Sequence, residues 1–127
     1  MKTVLITGSN GTIGQGLCQS FKEKGWRVIG TDLDKNSLGN TSAYLSIDLD
    51  KLCKNVAFQD ESINLIVEEC ANGLDVLINN AATQILAPVE KLTFQNWEKV
   101  ININLNSVFI LIKSLLSMLE KVKGNVV

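Results

Sequence analysis

Histidine is absent from the 127 residues. With it go His general bases and His-based metal sites. Cysteine occurs three times, at Cys18, Cys53 and Cys70, an odd number with no C-x-x-C spacing. That pattern offers no metal cluster and reads as reduced thiols in a cytoplasmic protein. There is one proline, Pro88, and one tyrosine, Tyr44. Charge of one sign is also lacking: 12 Lys and Arg stand against 13 Asp and Glu, a formal net charge of −1. This argues against a nucleic-acid partner bound by phosphate neutralisation. No apolar run approaches the ~18–20 residues of a membrane span, so no membrane partner is expected. The opening MKTVLITGSNG is broken too soon by Gly and Asn to be a signal peptide. What is present, 46% apolar and 20% charged residues, is the make-up of an ordinary globular domain and excludes disorder.

The chain reads as strands alternating with helices. Lys2 to Thr7 is a short apolar run rich in β-branched residues that ends at a Gly-rich turn, a buried strand. Residues 13–24 place Ile13, Leu17 and Phe21 on one helical face, with Gly25 as the stop. Trp26 to Thr31 and Tyr44 to Ile47 read as the second and third strands. A helix is expected over 60–71, then a fourth strand from Leu74 to Ile78. Thr93 is the expected N-cap of a long helix reaching about Val122, stopped by Gly124, with a fifth strand beginning at Asn125. Such alternation gives right-handed βαβ units, an α/β doubly wound parallel sheet. No linker or repeat divides it, so 1–127 reads as a single domain.

Between the first strand and first helix lies Thr7-Gly8-Ser9-Asn10-Gly11-Thr12-Ile13-Gly14. A helix N-terminus there offers backbone N–H groups and positive dipole to a phosphate, and glycine lets the backbone approach it. A tight turn without a ligand would need the same glycines. The context favours binding: Asp32 closes the second strand, 18 residues after Gly14, near the ~20-residue offset of a ribose-binding acid. Asp34 reads instead as a solvated turn residue.

With Asp48-Leu49 after the third strand, Asn79-Asn80-Ala81-Ala82 after the fourth and Trp97 to Leu105 in the long helix, the ordered set resembles the short-chain dehydrogenase/reductase family over the whole chain. The resemblance implies a Rossmann-type sheet of strand order 3-2-1-4-5 and an NAD cofactor. It implies that Gly8, Ser9, Asn10, Gly11, Ile13 and Gly14 line the pyrophosphate and adenosine. Asp32 would hold the ribose, Asp48 would accept from the adenine amino group beside Leu49, and Asn80, Ala81 and Ala82 would border the nicotinamide-side ribose. Asn104 would be the active-site asparagine of a proton relay. Two features depart from the family. Its classical branch usually has TGxxxGxG, whereas this loop reads TGxxGxxG, like the extended, epimerase-like branch. The family's catalytic Ser and YxxxK follow strand five and have no counterpart here: the residue four after Tyr44 is Asp48. The chain thus resembles the N-terminal, cofactor-binding half of a longer enzyme, truncated at strand five.

On a regular helix, the residues one or two turns from Asn104 are Trp97, Val100, Ile101, Ser107, Val108 and Leu111. This puts Asn104 on an apolar stripe, either as the relay residue or as a buried amide satisfying local backbone, and puts Asn102 and Asn106 on a polar face. Val108 to Ile112 is apolar all round, so the face with Ile103 and Ile110 needs a second cover. In the family that cover is commonly the same helix of another subunit, so a homodimer or homotetramer through the 93–122 helix is expected; a later part of the same chain is the alternative. The leading expectation is an NAD-dependent oxidoreductase acting on a small-molecule alcohol or carbonyl. The rivals are an NAD-dependent epimerase or dehydratase and a non-catalytic dinucleotide-binding module.

Overall fold

The computed structural model describes all 127 residues. Five strands, β1 (Thr3–Thr7), β2 (Arg27–Asp32), β3 (Ala43–Ser46), β4 (Val76–Ile78) and β5 (Asn125–Val126), form one sheet in the order β3-β2-β1-β4-β5. Every neighbouring pair is parallel. The strand order and the α/β class are those expected from the sequence. The helices are α1 (Thr12–Glu23), α2 (Leu49–Lys54), α3 (Val56–Glu69), α4 (Phe94–Ile101) and α5 (Ser107–Val122).

β1 is buried along its whole length, as a parallel strand covered on both faces must be. Its side chains alternate between two cores. Leu5 joins Ile29, Leu77, Ile66, Leu111 and Leu115 on the face carrying α3 and α5. Val4 and Ile6 join Val28, Ile78 and Cys18 on the α1 face. The order reverses at β1, which leads to β2 on one side and has β4 on the other. A crevice opens there at the carboxyl ends of the strands, the usual ligand position of a doubly wound sheet.

Three local readings need correction. The helix expected over 60–71 starts earlier, at Val56, and the short α2 precedes it. Asp48 and Asn55 start these two helices by accepting from Asp50 and Lys51 N–H, and from Phe58 N–H. A six-residue helix is too short to show periodicity, so only its cap was there to be read. Gly124 is not the left-handed stop of the long helix; Lys123 adopts that conformation (φ 56°). Gly124 serves a close approach instead, because a Cβ there would lie 2.2 Å from the Leu74 carbonyl oxygen.

The third correction concerns the long helix itself. Thr93 caps it, accepting from Asn96 N–H at 3.1 Å, and it runs 29 residues from Phe94 to Val122. It is long and apolar enough to cross a membrane, contrary to the expectation from runs alone, but a core helix meets the same criterion. Leu111, Leu115 and Leu119 pack it into the main core. Ile103 and Ile110 pack there too, so they are not the uncovered face. That face is Phe94, Trp97, Leu105, Phe109 and Leu116, between 48% and 73% exposed.

Between α4 and α5, Asn102–Asn106 forms a single π turn. The buried positions Ser107, Leu111, Leu115 and Leu119 recur in fours, and the next buried position back, Asn102, is five away. The Ser107 N–H correspondingly donates to the Asn102 carbonyl.

Candidate cofactor site

A cavity of about 640 Å³ occupies the crevice, within the range of small-molecule and cofactor sites. Its lining includes Gly8, Asn10, Gly11, Ile13 and Gly14 from the loop, Asp32 from β2, Asp48 and Leu49 from the start of α2, and Asn80, Ala81 and Ala82 after β4. These are the expected site residues with two exceptions, Ser9 and Asn104.

The glycine loop is shaped for close backbone approach. Gly8 has φ +64°, and a Cβ on it would sit 2.9 Å from the Ala81 Cα. A Cβ on Gly14 would lie 2.0 Å from the Gly8 carbonyl oxygen. Thr12 is accommodated where the classical pattern has glycine, because only Gly8 in this loop has positive φ. Gly11 is the N-cap of α1, and no side chain caps that helix. Its first-turn N–H groups are thus left to an anion in the cavity. Ser9 does not face this cavity. Its N–H donates to the Thr31 carbonyl at 3.2 Å, and the fully buried side chain turns into the space that a Cβ on Gly30 would fill.

Asp32 is fixed at both oxygens. Oδ2 accepts from the Asn10 N–H at 2.9 Å and Oδ1 from the Leu33 N–H at 2.8 Å. A carboxylate has about four lone-pair sites, so each oxygen keeps capacity for a ribose hydroxyl. Asn10 is nearly buried, and its side chain reaches into the β2–β3 connection. Asp34 is exposed, as expected, yet it lines the cavity and accepts from that asparagine. Asp48 spends Oδ1 on the α2 cap, leaving Oδ2 without a protein partner. The buried Leu49 lies beside it.

At the other end, the Asn80 amide nitrogen donates to the Thr7 and Gly8 carbonyls, both at 3.1 Å. The Thr7 hydroxyl accepts from the Ala81 N–H at 2.9 Å. The end of β4 is thereby latched to the glycine loop, and Thr7, a buried residue of the motif, carries part of a site that the sequence reading did not assign to it.

Asn104 is exposed, contrary to the expected burial. Its Oδ1 accepts from the Thr83 N–H at 2.8 Å and its Nδ2 donates to the Thr83 carbonyl at 2.9 Å. The amide thus mimics a backbone partner for the loop after β4, and Thr83 lines the cavity. The extra residue of the π turn explains the error, since a 3.6-residue extrapolation puts the apolar stripe through Asn104 while the structure routes it through Asn102. Asn102, read as a polar-face residue, is 6% exposed; it donates to Asp50 Oδ1 at 3.0 Å and accepts from Asn106 Nδ2 at 2.9 Å. Burial pushes the Asp50 carboxyl up, but hydrogen bonds from Asn102 and Lys54 outweigh it and leave the group below its ordinary value.

The phenol and the thiols lie outside the cavity lining. Burial, followed by the charges of Asp32 and Asp34, raises the Tyr44 phenol, which donates to the Asp34 carbonyl at 2.7 Å. Burial, with Asp50 adding to it, pushes the Cys53 thiol up to about 11. Burial likewise brings Cys70 to about 11. The residues present fit a dinucleotide: an uncapped helix start for pyrophosphate, an anchored carboxylate for ribose, and a half-free carboxylate for an amino group.

Comparison with known proteins agrees with this geometry. The model of the short chain dehydrogenase family matches residues 2–127. Galactitol 2-dehydrogenase of Agrobacterium fabrum is 30% identical, with 97% of this chain aligned to 49% of that protein. The 3-oxoacyl-[acyl-carrier-protein] reductase of Buchnera aphidicola is 32% identical, covering 99% of this chain and 53% of its own length. The solved structure of 4-hydroxyisoleucine dehydrogenase complexed with NADH superposes with a TM-score of 0.82 at 30% identity, over 99% of this chain and 54% of that one. The chain spans about half the length of the curated relatives it matches. With its sheet order, its glycine loop and a family match over nearly every residue, this chain belongs to the short-chain dehydrogenase/reductase family.

Proposed function

We propose that this chain binds NAD(H), in preference to NADP(H), as the cofactor-holding part of an oxidoreductase that interconverts a small-molecule alcohol and its carbonyl compound. The observation that carries the reading is Asp32, a carboxylate held at both oxygens by backbone N–H groups at the end of β2. It can accept from both adenosine ribose hydroxyls. A 2′-phosphate there would face like charge, and two unit charges at 4 Å repel by ~4 kcal/mol at an effective dielectric near 20. Lys99 is the single cation lining the cavity, against Asp32, Asp34, Asp48 and Asp50.

In this reading the α1 N-terminus takes the pyrophosphate and Asp48 Oδ2 orients the adenine. The latch from Asn80 to the loop and the clasp of Asn104 on Thr83 hold the walls at the nicotinamide end. The bound dinucleotide supplies the carbon that gives or takes hydride. The partner proton needs an acid–base group within hydrogen-bond reach of the substrate oxygen, which is worth about 10²–10⁴-fold. Tyr44 and the thiols do not line the cavity, so residues 1–127 alone are expected to hold cofactor without turning over substrate. We assign the exposed stripe from Phe94 to Leu116 to a homo-oligomer interface, and place the protein in the cytoplasm.

The test is titration of the chain with NADH and with NADPH, followed by ligand fluorescence, and an assay with NADH over a panel of ketones. NADH should bind and turnover should be absent. Tighter binding of NADPH would overturn the cofactor assignment, and turnover at ordinary enzymatic rates would overturn the division of labour.

A further inference from the structure

Two polar groups at one end of the cavity have no partner within the chain. Asp48 Oδ2 is one, because the cap of α2 uses only Oδ1. The Lys99 ammonium is the other. It is exposed on α4, lines the cavity and enters none of the chain's three ion pairs. Its surroundings leave it free. Asp50 gives Oδ1 to the Asn102 amide at 3.0 Å and Oδ2 to Lys54 at 2.9 Å. Lys54 also reaches Glu98 at 3.7 Å. The carboxylates of Asp50 and Glu98 are thus engaged without Lys99.

Lys99 belongs to the end of the cavity beside α2. It stands four residues before Ile103, positions that share one face of a helix, and both line the cavity. Its charge also reaches the start of α2. Burial raises the Asp50 carboxyl, while hydrogen bonds from Asn102 and Lys54 and the charges of Lys54 and Lys99 lower it. The walls here are apolar: the buried Ile47 and Leu49, and the half-buried Ile103. The slot between α2 and the long helix therefore joins an apolar lining to one free acceptor and one free donor. An adenine ring carries the matching pattern, a flat apolar body whose amino group donates and whose neighbouring ring nitrogen accepts.

We propose that the Lys99 ammonium binds the adenine ring of the dinucleotide, donating to a ring nitrogen beside the amino group that Asp48 accepts. This rests on the dinucleotide reading above and names a further recognition residue within the same site. Asp48 alone holds the base by one edge atom and leaves it free to swing; a donor beside it fixes the orientation of the ring. The flexible four-carbon stem lets the ammonium close over the base once it has entered. A lysine that only offset the four carboxylates of the cavity would act through its field on the diphosphate, and salt would screen it. A lysine in contact with the base keeps most of its effect.

Lys99→Met keeps the length of the stem and removes the ammonium. Dissociation constants of NADH and of ADP-ribose, which has the adenosine and diphosphate but no nicotinamide, are measured for the 127-residue chain and the variant at low salt and at high salt. The expected result is a weakening of about tenfold for both ligands at low salt, the lower end of what a hydrogen bond from a charged group is worth. About fivefold should remain near 0.5 M salt. Lys99→Gln reads the same differences should an exposed methionine promote association. Unchanged affinity in both variants, a loss that vanishes at high salt, or a loss seen with NADH but not with ADP-ribose overturns the inference and leaves dinucleotide binding standing. Failure of the unsubstituted chain to bind either ligand overturns both.

Discussion

Replacing Asn104 by leucine removes two hydrogen bonds at once, from the Thr83 N–H at 2.8 Å and to the Thr83 carbonyl at 2.9 Å. A typical intramolecular hydrogen bond contributes about 0.5–1.5 kcal/mol net. Both groups lie where water can replace the lost partner, so the lower half of that range applies and the pair is worth ~1–2 kcal/mol. Unfolding entropy near 2.1 cal/mol/K per residue, applied to 127 residues, converts this to a fall in Tm of about 4–7 °C. Asn104→Asp is the informative companion. It keeps an acceptor for the Thr83 N–H but sets a carboxylate oxygen against the Thr83 carbonyl, so it should recover less than half of the loss. Thermal melts followed by circular dichroism, with and without NADH, measure both effects. Because Thr83 lines the cavity, NADH affinity should fall by severalfold in both variants. A Tm within about 1 °C of the parent for Asn104→Leu would refute the clasp.

Gly14→Ala should abolish NADH binding and lower the yield of folded protein, because the new Cβ would lie 2.0 Å from a backbone oxygen that cannot move aside; binding and expression assays read both. Phe109→Glu, placing charge in the middle of the exposed stripe, should shift the chain toward monomer in sedimentation or light scattering; an unchanged assembly would remove this face as the interface. Asp50 has a folded-state pKa below its unfolded value of 3.8, so its contribution to stability is complete above that value and is lost as pH falls through the lower folded value. Asp50→Asn should therefore flatten the loss of stability on acidification in that window, which acid titration monitored by fluorescence can show.

The legible parts of the sequence were those with a local physical cause. The glycine loop, Asp32 and the Thr93 cap all sit where spacing and residue type placed them. The alternation of Val4, Leu5 and Ile6 between two cores was not legible, because a strand buried on both faces hides it from a polarity pattern. What could not be read were features made by distant contacts. Asn10 is assigned to the cofactor loop, but its side-chain hold on the 34–44 segment is invisible until that segment comes to rest on it. Ser9 is expected against the ligand, but the missing side chain at Gly30 leaves room for it against β2 instead. The burial of Asn102 and exposure of Asn104 depend on a single extra residue in one turn, which a periodicity argument assumes away.

That turn has a consequence for how this helix tolerates changes in length. Within its first residues the turn is docked by Asn102 to Asp50 and by Asn104 to Thr83, beside the cavity. Downstream the helix is docked by Leu111, Leu115 and Leu119 in the core. Each residue advances an α-helix by about 100°, and the π turn absorbs one residue beyond the α-helical count between Asn102 and Ser107. Deleting Leu105 or Asn106 would therefore leave a regular α-helical turn with the two docks still in phase. A deletion between Ser107 and Leu111, where the helix is already regular, would turn one dock against the other by more than a quarter of a revolution. The place where this helix accommodates a change in length is thus the π turn itself.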